Sequence, residues 1–403
     1  MVIGLDGMSL SLTSHLIDLG IMPNLKALFK RGTYGKLRSV IPPITPAAWT
    51  SFQTGKYPNK HGVVNFFVEK PWTYGYEFTN STCIVGKTLW KILSDADKKP
   101  ILVNVPLTYP PEAINGIIIP GFDTPETSDD CIHPRGLLKT IENHIGRYDF
   151  YRMWWNDAVF KQNGLAGLIR ELLQITDSQV ECVKFLMKEF DWNFFMYHFQ
   201  VTDALQHHAF HLIDPSRHGL DMAEKEQQKI ILEFYENIDR KIGELLEGID
   251  RDTCVCVLSD HGFLSLHKAF YLNHWLYQQG YLVKNNRYFL IKQLDNLVHL
   301  SKKFKLPFLR NMKYPLRKNP IRTLRKIDYK RTQAYAYCYL VNYAFLFLNK
   351  NLKINEEALK KDLKEIQYNG EHIVRNVYRW YTGEASSDFN PDLVVECIEG
   401  YSI

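Results

Sequence analysis

The chain has 403 residues, 45% of them hydrophobic and 13% aromatic, and a net charge of +5. That composition excludes a disordered chain and supplies enough apolar surface for a large core, as one elaborated domain or two. No run of about 18 apolar residues occurs, and Val2–Leu5 is too short for a signal-peptide core, so the expectation is a cytoplasmic protein without a transmembrane segment.

Seven cysteines, at 83, 131, 182, 254, 256, 338 and 397, are scattered and form no Cys-x-x-Cys pair, which fits a reducing compartment. Cys254 and Cys256 alternate along an apolar run, where small buried side chains are expected to pack. The charge is uneven. Between Lys302 and Arg331 twelve Lys or Arg stand against one acid, Asp328, a local +11 that leaves about −6 for the rest.

In chain order, Val2-Ile-Gly-Leu is a short buried-type strand that ends in Asp6-Gly7. Ser9–Leu19 and Met22–Lys30 read as a helix pair, the second closed by Gly32. Tyr34–Val40 reads as a strand leading into Ile41-Pro-Pro-Ile-Thr45-Pro, whose prolines stiffen the backbone. There Thr45 takes an N-cap position before a helix over Ala47–Gln53, so its hydroxyl sits at the positive end of that helix. Lys87–Ala96 is helical, and Ile101–Val105 and Gly116–Pro120 are strands. This βαβ rhythm predicts a parallel sheet with right-handed crossovers.

Pro134–Lys188 is helical and aromatic, with Tyr148, Phe150, Tyr151, Trp154 and Trp155 together. Residues 134–190 read either as a helical cap over a site or as outer helices with apolar faces on the sheet. Phe194–Val201 is an apolar strand followed by Thr202-Asp203-x-x-x-His207, whose i, i+4 spacing puts both polar side chains on one helical face. Glu224–Glu247 is a long charged helix with an apolar stripe. After it, Val255-Cys-Val-Leu-Ser stops abruptly at Asp260-His261-Gly262. Phe270–Tyr281 reads as a short helix and turn, and residues 287–331 as a basic insertion interrupted by Pro307, Pro315 and Pro320. Thr332–Asn349 is aromatic and strand-like, and Asn355–Gln367 is helical.

Carboxylates and imidazoles delivered at the carboxyl ends of several apolar strands suggest one site, since ligands of open α/β sheets sit there. Asp6, Thr45 in its Pro-Pro-Ile-Thr-Pro setting, Gly55-Lys-Tyr-Pro-Asn-Lys-His61-Gly62, Asp203-x-x-x-His207 and Asp260-His261-Gly262 together resemble the alkaline phosphatase superfamily. The resemblance is strongest to its type I phosphodiesterase/nucleotide pyrophosphatase branch, and it runs in order from the first residues through Pro391–Tyr401.

The resemblance implies a three-layer α/β sandwich with a mainly parallel central sheet, as a single domain over residues 1–403. It implies two divalent metal ions, Zn²⁺ foremost with Mn²⁺ or Fe as alternatives. Asp6, Asp260 and His261 would hold the metal that also contacts Thr45, and Asp203 and His207 would hold the second. Thr45 would be the nucleophile, forming a phosphothreonine-type intermediate as phosphodiester or pyrophosphate bonds are hydrolysed. Asn65 lies one residue out of register from an Asn that in this branch binds a non-bridging phosphate oxygen.

The implied substrate is a nucleotide or other small phosphodiester, and the basic stretch 302–331 could take an anionic ligand or be a solvated insertion. Two other readings stay open: phosphotransfer to an alcohol, as in ethanolamine-phosphate transfer, and a non-catalytic scaffold that lost one metal. The branch supplies a further His to the second metal after the late Gly-Tyr element, and the chain stops at Gly400-Tyr-Ser-Ile403. The expectation is a C-terminally truncated chain; the alternative is substitution by His208, His211, His267, His274 or His372.

Overall fold

The structure is a computed structural model and describes residues 1–69, 76–124, 129–151, 156–286, 326–338, 341–380 and 391–403. The chain divides into two compact units, one of residues 1–66 and 78–265, the other of 67–77 and 266–403. Most of the basic insertion, residues 287–325, lies outside the described residues, as do Trp154 and Trp155.

The first unit is built on a five-stranded sheet. Its strands are β1 (Val2–Leu5), β4 (Pro100–Val105), β5 (Ile117–Pro120), β6 (Phe194–Phe199) and β7 (Cys256–Leu258), in the order β5-β4-β6-β1-β7. Every pairing is parallel, with Val2 opposite both Met196 and Cys256 and Pro100 opposite Phe194. Strands buried on both faces read as unbroken apolar runs. That is the pattern of Val2-Ile-Gly-Leu, Ile101-Leu-Val and Phe194-Phe-Met-Tyr, all parts of strands that the structure pairs.

Side-chain alternation sorts the sheet's residues into two layers. Ile3, Leu5, Ile101, Val103, Phe195, Tyr197 and Phe199 face a core shared with α1 (Leu10–Asp18), α2 (Pro23–Arg31), α6 (Leu137–Ile145), α7 (Asn156–Glu189), α8 (Val201–Ala209) and α9 (Met222–Glu247). Val2, Leu102, Val105, Ile118 and Met196 face the other core with Trp49 and Trp90, from α3 (Thr45–Thr54) and α5 (Leu89–Asp95). Between α3 and α5 lies one turn, α4 (Pro58–His61). The result is the expected three layers.

Helices α6 and α7, which cover most of 134–190, place Leu138, Ile141, Leu168, Leu172 and Val183 in the first core. Asp221 and Glu224 close a capping box at the start of α9, which fixes where that helix begins.

The second unit contains two-stranded pairs formed by β2 (Phe67–Glu69) with β3 (Tyr76–Phe78), whose last residue is in the first unit, and by β8 (Lys268–Ala269) with β15 (Tyr401–Ser402). It also has α10 (Leu272–Gln278), β9 (Ala334–Cys338), β10 (Tyr343–Leu348), α11 (Glu356–Lys364), a β11 (Gln367–Tyr368) and β12 (Glu371–His372) hairpin, β13 (Val374–Arg379) and β14 (Leu393–Cys397). β13, β14, β10 and β9 form an antiparallel sheet in that order, with Phe345, Leu346, Leu393 and Val394 fully buried.

Two local expectations fail. Residues 33–40 form no strand among the described residues. Tyr34 and Leu37 are 60% and 72% exposed, and Tyr34 lies against the Phe29 ring at 4.1 Å; an apolar alternation without a ladder partner cannot become a strand. Cys254 and Cys256 are exposed rather than packed. β7 is the edge of the described sheet, so its alternate positions are not enclosed on both sides as those of β1 and β6 are.

Candidate active site

Four of the predicted ligands are delivered at carboxyl ends of the parallel sheet. Asp6 follows β1, Asp203 sits in the first turn of α8 just after β6, and Asp260-His261 follows β7. The Asp6 amide bonds to Phe199 O at 3.1 Å and Thr202 Oγ1 donates to Asp6 O at 2.7 Å, locking the two strand ends together. Gly7 turns with φ +71°, a conformation glycine adopts without penalty, and its amide donates to Asp260 Oδ1 at 3.2 Å.

The donor atoms converge. One ligand atom each from Asp6, Asp260 and His261 lie within 4.8 Å of one another. His261 Nε2 is 3.5 Å from Asp6 Oδ1, 3.4 Å from Asp260 Oδ2 and 3.8 Å from Asp203 Oδ1. His261 Nδ1 faces Gly262 O at 3.1 Å. A carbonyl can only accept, so that nitrogen carries the proton and Nε2 is the one presented to the site.

Asp203 Oδ2 and His207 Nε2 lie 3.4 Å apart, with Asp203 buried and His207 exposed. His208 does not complete that pair, since it turns to Asp157 at 3.6 Å and stacks on Phe160 at 4.5 Å.

Thr45 is the first residue of α3 rather than its cap, which is Ile44. The difference of one position frees the hydroxyl. Instead of bonding a helix amide it donates to Asp6 Oδ1 at 3.5 Å and lies 3.2 Å from His261 Nε2. A buried network holds α3 in place: Val63 N donates to His61 Nδ1 at 3.1 Å, His61 Nε2 meets Ser51 Oγ at 2.9 Å, and Ser51 Oγ donates to Ala47 O at 2.9 Å. Asn65 is buried, its Oδ1 accepting from Phe66 N at 2.7 Å and its carbonyl from Thr79 Oγ1 at 2.7 Å.

The electrostatics point to a cation. Burial and the neighbouring Asp260 and Asp203 carboxylates push the Asp6 carboxyl well above the usual range. Burial alone would lower His261, but Asp260, Asp6 and Asp203 outweigh it and push the imidazole up to about 9. Asp203 is raised by burial, yet His207, His261 and His198 hold it below its ordinary value. Asp203 Oδ1 and Asp260 Oδ2 are buried and receive no hydrogen bond in the structure. Buried anionic oxygens without donors are costly unless a cation meets them. This all-oxygen and imidazole donor set fits a divalent ion of the zinc or manganese type.

Three residues at the site escape prediction. Trp49 Nε1 donates to Asp6 Oδ2 at 3.1 Å, and the buried His198 Nε2 lies 2.9 Å from the same oxygen without hydrogen-bonding to it. Phe263 packs edge-on against His207 at 4.9 Å and lies 5.8 Å from His261. A lone histidine in the run Phe194–Phe199 was a legible signal for a buried polar contact.

Over the carboxyl ends of β4 and β5 lies a cavity of about 1050 Å³, lined by none of Asp6, Thr45, Asp203, His207, Asp260 and His261. Phe66 and Phe122 wall it as one aromatic pair at 5.7 Å and Tyr148 and Phe150 as another at 4.7 Å.

Comparison with known proteins places this arrangement. Residues 1–403 match the type I phosphodiesterase/nucleotide pyrophosphatase family. Phosphonoacetate hydrolase from Sinorhizobium meliloti 1021, in complex with phosphonoformate, superposes with a TM-score of 0.62 at 16% identity, over 100% of this chain and 81% of that one. Murine ectonucleotide pyrophosphatase/phosphodiesterase 5 superposes with a TM-score of 0.52 at 10% identity, over 100% of this chain and 79% of that one. An inactive variant of the murine protein is in complex with AMP. No curated protein matches the chain in sequence.

Proposed function

Because the chain belongs to the type I phosphodiesterase/nucleotide pyrophosphatase family, we propose that it hydrolyses phosphodiester or pyrophosphate bonds by way of a covalent phosphoryl intermediate on Thr45. The observation that carries the reading is the placement of Thr45 Oγ1, free of capping duty at a helix start and within 3.5 Å of both Asp6 Oδ1 and His261 Nε2.

Asp6, Asp260 and His261 would hold one divalent ion and Asp203 with His207 contribute to a second. Such ions supply charge stabilisation at the attacking and leaving oxygens. Thr45 Oγ attacks phosphorus and gives up its proton; the P–O ester bond breaks and the alcohol departs protonated. Water then cleaves the bond between phosphorus and Thr45 Oγ and restores the hydroxyl. The amino end of α3 favours the negative charge of the transferring group. The aromatic cavity over β4 and β5 would receive an ester substituent, with Phe66 and Phe150 as its flat walls.

Release of nitrophenol from bis(4-nitrophenyl) phosphate and from 4-nitrophenyl phosphate, with and without an added alcohol, tests the reading. The diester should be the better substrate and the alcohol should change only the product. A strong monoester preference would contradict diester hydrolysis, and exclusive transfer to the alcohol would show a transferase.

A further inference from the structure

We propose that Phe263 is a positioning residue for His207: its ring, seated on the Gly7 turn, meets the exposed imidazole edge-on at 4.9 Å and so fixes where His207 Nε2 is presented to a second divalent ion. The role rests on the reading of Asp203 and His207 as ligands of that ion, and adds what holds the more exposed of the two in place.

Helix α8 carries two adjacent imidazoles with different surroundings. His208 turns toward α7, where it stacks on Phe160 at 4.5 Å and lies 3.6 Å from Asp157. His207 turns instead to Asp203, one helical turn back, and its side chain is 64% exposed, against 13% for His208 and 12% for His261. Among the described residues its ring meets one carboxylate, Asp203, with Nε2 3.4 Å from Oδ2, and one other ring, Phe263. An exposed side chain keeps its rotamer freedom unless something packs against it, and immobilising it when the ion arrives costs affinity.

Phe263 is itself fixed. Its ring packs on the larger core of the first unit and lies 5.8 Å from Phe210. It comes so close over Gly7 that a Cβ there would stand 2.6 Å from Cε2 and 3.1 Å from Cδ2, inside the distance at which carbon atoms pack. The glycine that turns at φ +71° after Asp6 is therefore also the seat of the ring. With the two planes at 83°, the contact with His207 has the edge-to-face form that aromatic pairs favour. The same ring lies 5.8 Å from His261, but that side chain has an anchor of its own, since Nδ1 donates to Gly262 O at 3.1 Å. Removing the ring should loosen His207 and leave His261 in place, and so separate the two metals.

The test needs no turnover. In the metal-depleted full chain, a nuclear Overhauser contact between the ring protons of His207 and Phe263 is expected, with the His207 signals assigned by their loss in His207→Gln. Zinc affinity at each of the two sites is then measured by competition with chelators of graded strength. Phe263→Leu keeps an apolar side chain and removes the ring; it is expected to weaken the second zinc about 10-fold and the first by less than about 2-fold. Phe263→Tyr returns a ring and should hold the second zinc as wild type does. If Phe263→Leu does not fold, Phe263→Met, unbranched and adaptable in a core, takes its place. No contact between the two rings in wild type, an unchanged second zinc in Phe263→Leu, equal weakening of both sites, or equal weakening by Leu and Tyr would overturn the positioning role alone. A wild-type chain that takes no second zinc would overturn the second-metal reading, and the positioning role with it.

Discussion

Thr45 Oγ1 and His261 Nε2 stand 3.2 Å apart across 216 positions of sequence. The start of α3 and the end of β7 are brought to one point by the sheet, and neither residue has a comparable role without the other. Thr45→Ala is expected to lower kcat/KM on a phosphodiester by roughly 1000-fold, about 4 kcal/mol, with little change in melting temperature. Thr45→Ser keeps the hydroxyl and should retain activity within roughly one order of magnitude. Parallel initial-rate and melting measurements check both.

Crowded carboxylates predict a trade between stability and metal binding. Asp260→Asn preserves an oxygen for the Gly7 amide and removes one charge from the group around Asp6. In the presence of a chelator the variant should melt higher than wild type, by about 2–4 °C for each kcal/mol of repulsion relieved. Added zinc should stabilise wild type and leave the variant nearly unmoved. An equal zinc shift in both would show that Asp260 is not a ligand.

The network behind α3 has a pH signature away from the ligands. Burial pushes the His61 imidazole down to about 4, below its ordinary 6.5. A depressed histidine contributes stability that is fully present above pH 6.5 and lost as pH falls toward 4. The span corresponds to about 3 kcal/mol. His61→Gln should therefore differ from wild type most at pH 7.5, with the gap closing by pH 4.5. Denaturant melts at both pH values decide it; a gap that does not change with pH would mean His61 acts only through packing.

The aromatic cavity predicts selectivity rather than rate. Phe150→Ala removes one wall of it, and apolar pocket contacts discriminate by about 1–3 kcal/mol. The variant should lose roughly 10–100-fold in kcat/KM on a phosphodiester with a bulky aromatic substituent and little on a methyl ester. Equal losses on the two would place the substituent elsewhere.

The legible parts of the chain were those in which local pattern and tertiary role coincide. Val2–Leu5, Ile101–Val105 and Phe194–Phe199 are apolar because a parallel sheet buries both faces, so their runs announced the strands and the polar residues that end them. Asp203 and His207 share a helical face, and that spacing was visible. The failures have a common cause. Tyr34–Val40 alternates like a strand but meets no partner, and Cys254 and Cys256 alternate on a strand whose flank the described sheet leaves open. The partners of Asn104 and Trp49, His198 and Asp6, were not legible, because each contact joins separate elements and nothing in the local sequence says which elements become neighbours.

The most direct test of the central claim is to mix the chain with zinc and a phosphodiester, quench in acid within the first turnovers, and map the phosphorylated residue by mass spectrometry. The account predicts a substoichiometric burst of nitrophenol and a phosphoryl adduct on Thr45, absent from Thr45→Ala. Sustained turnover with no adduct on Thr45, and undiminished turnover in Thr45→Ala, would contradict it.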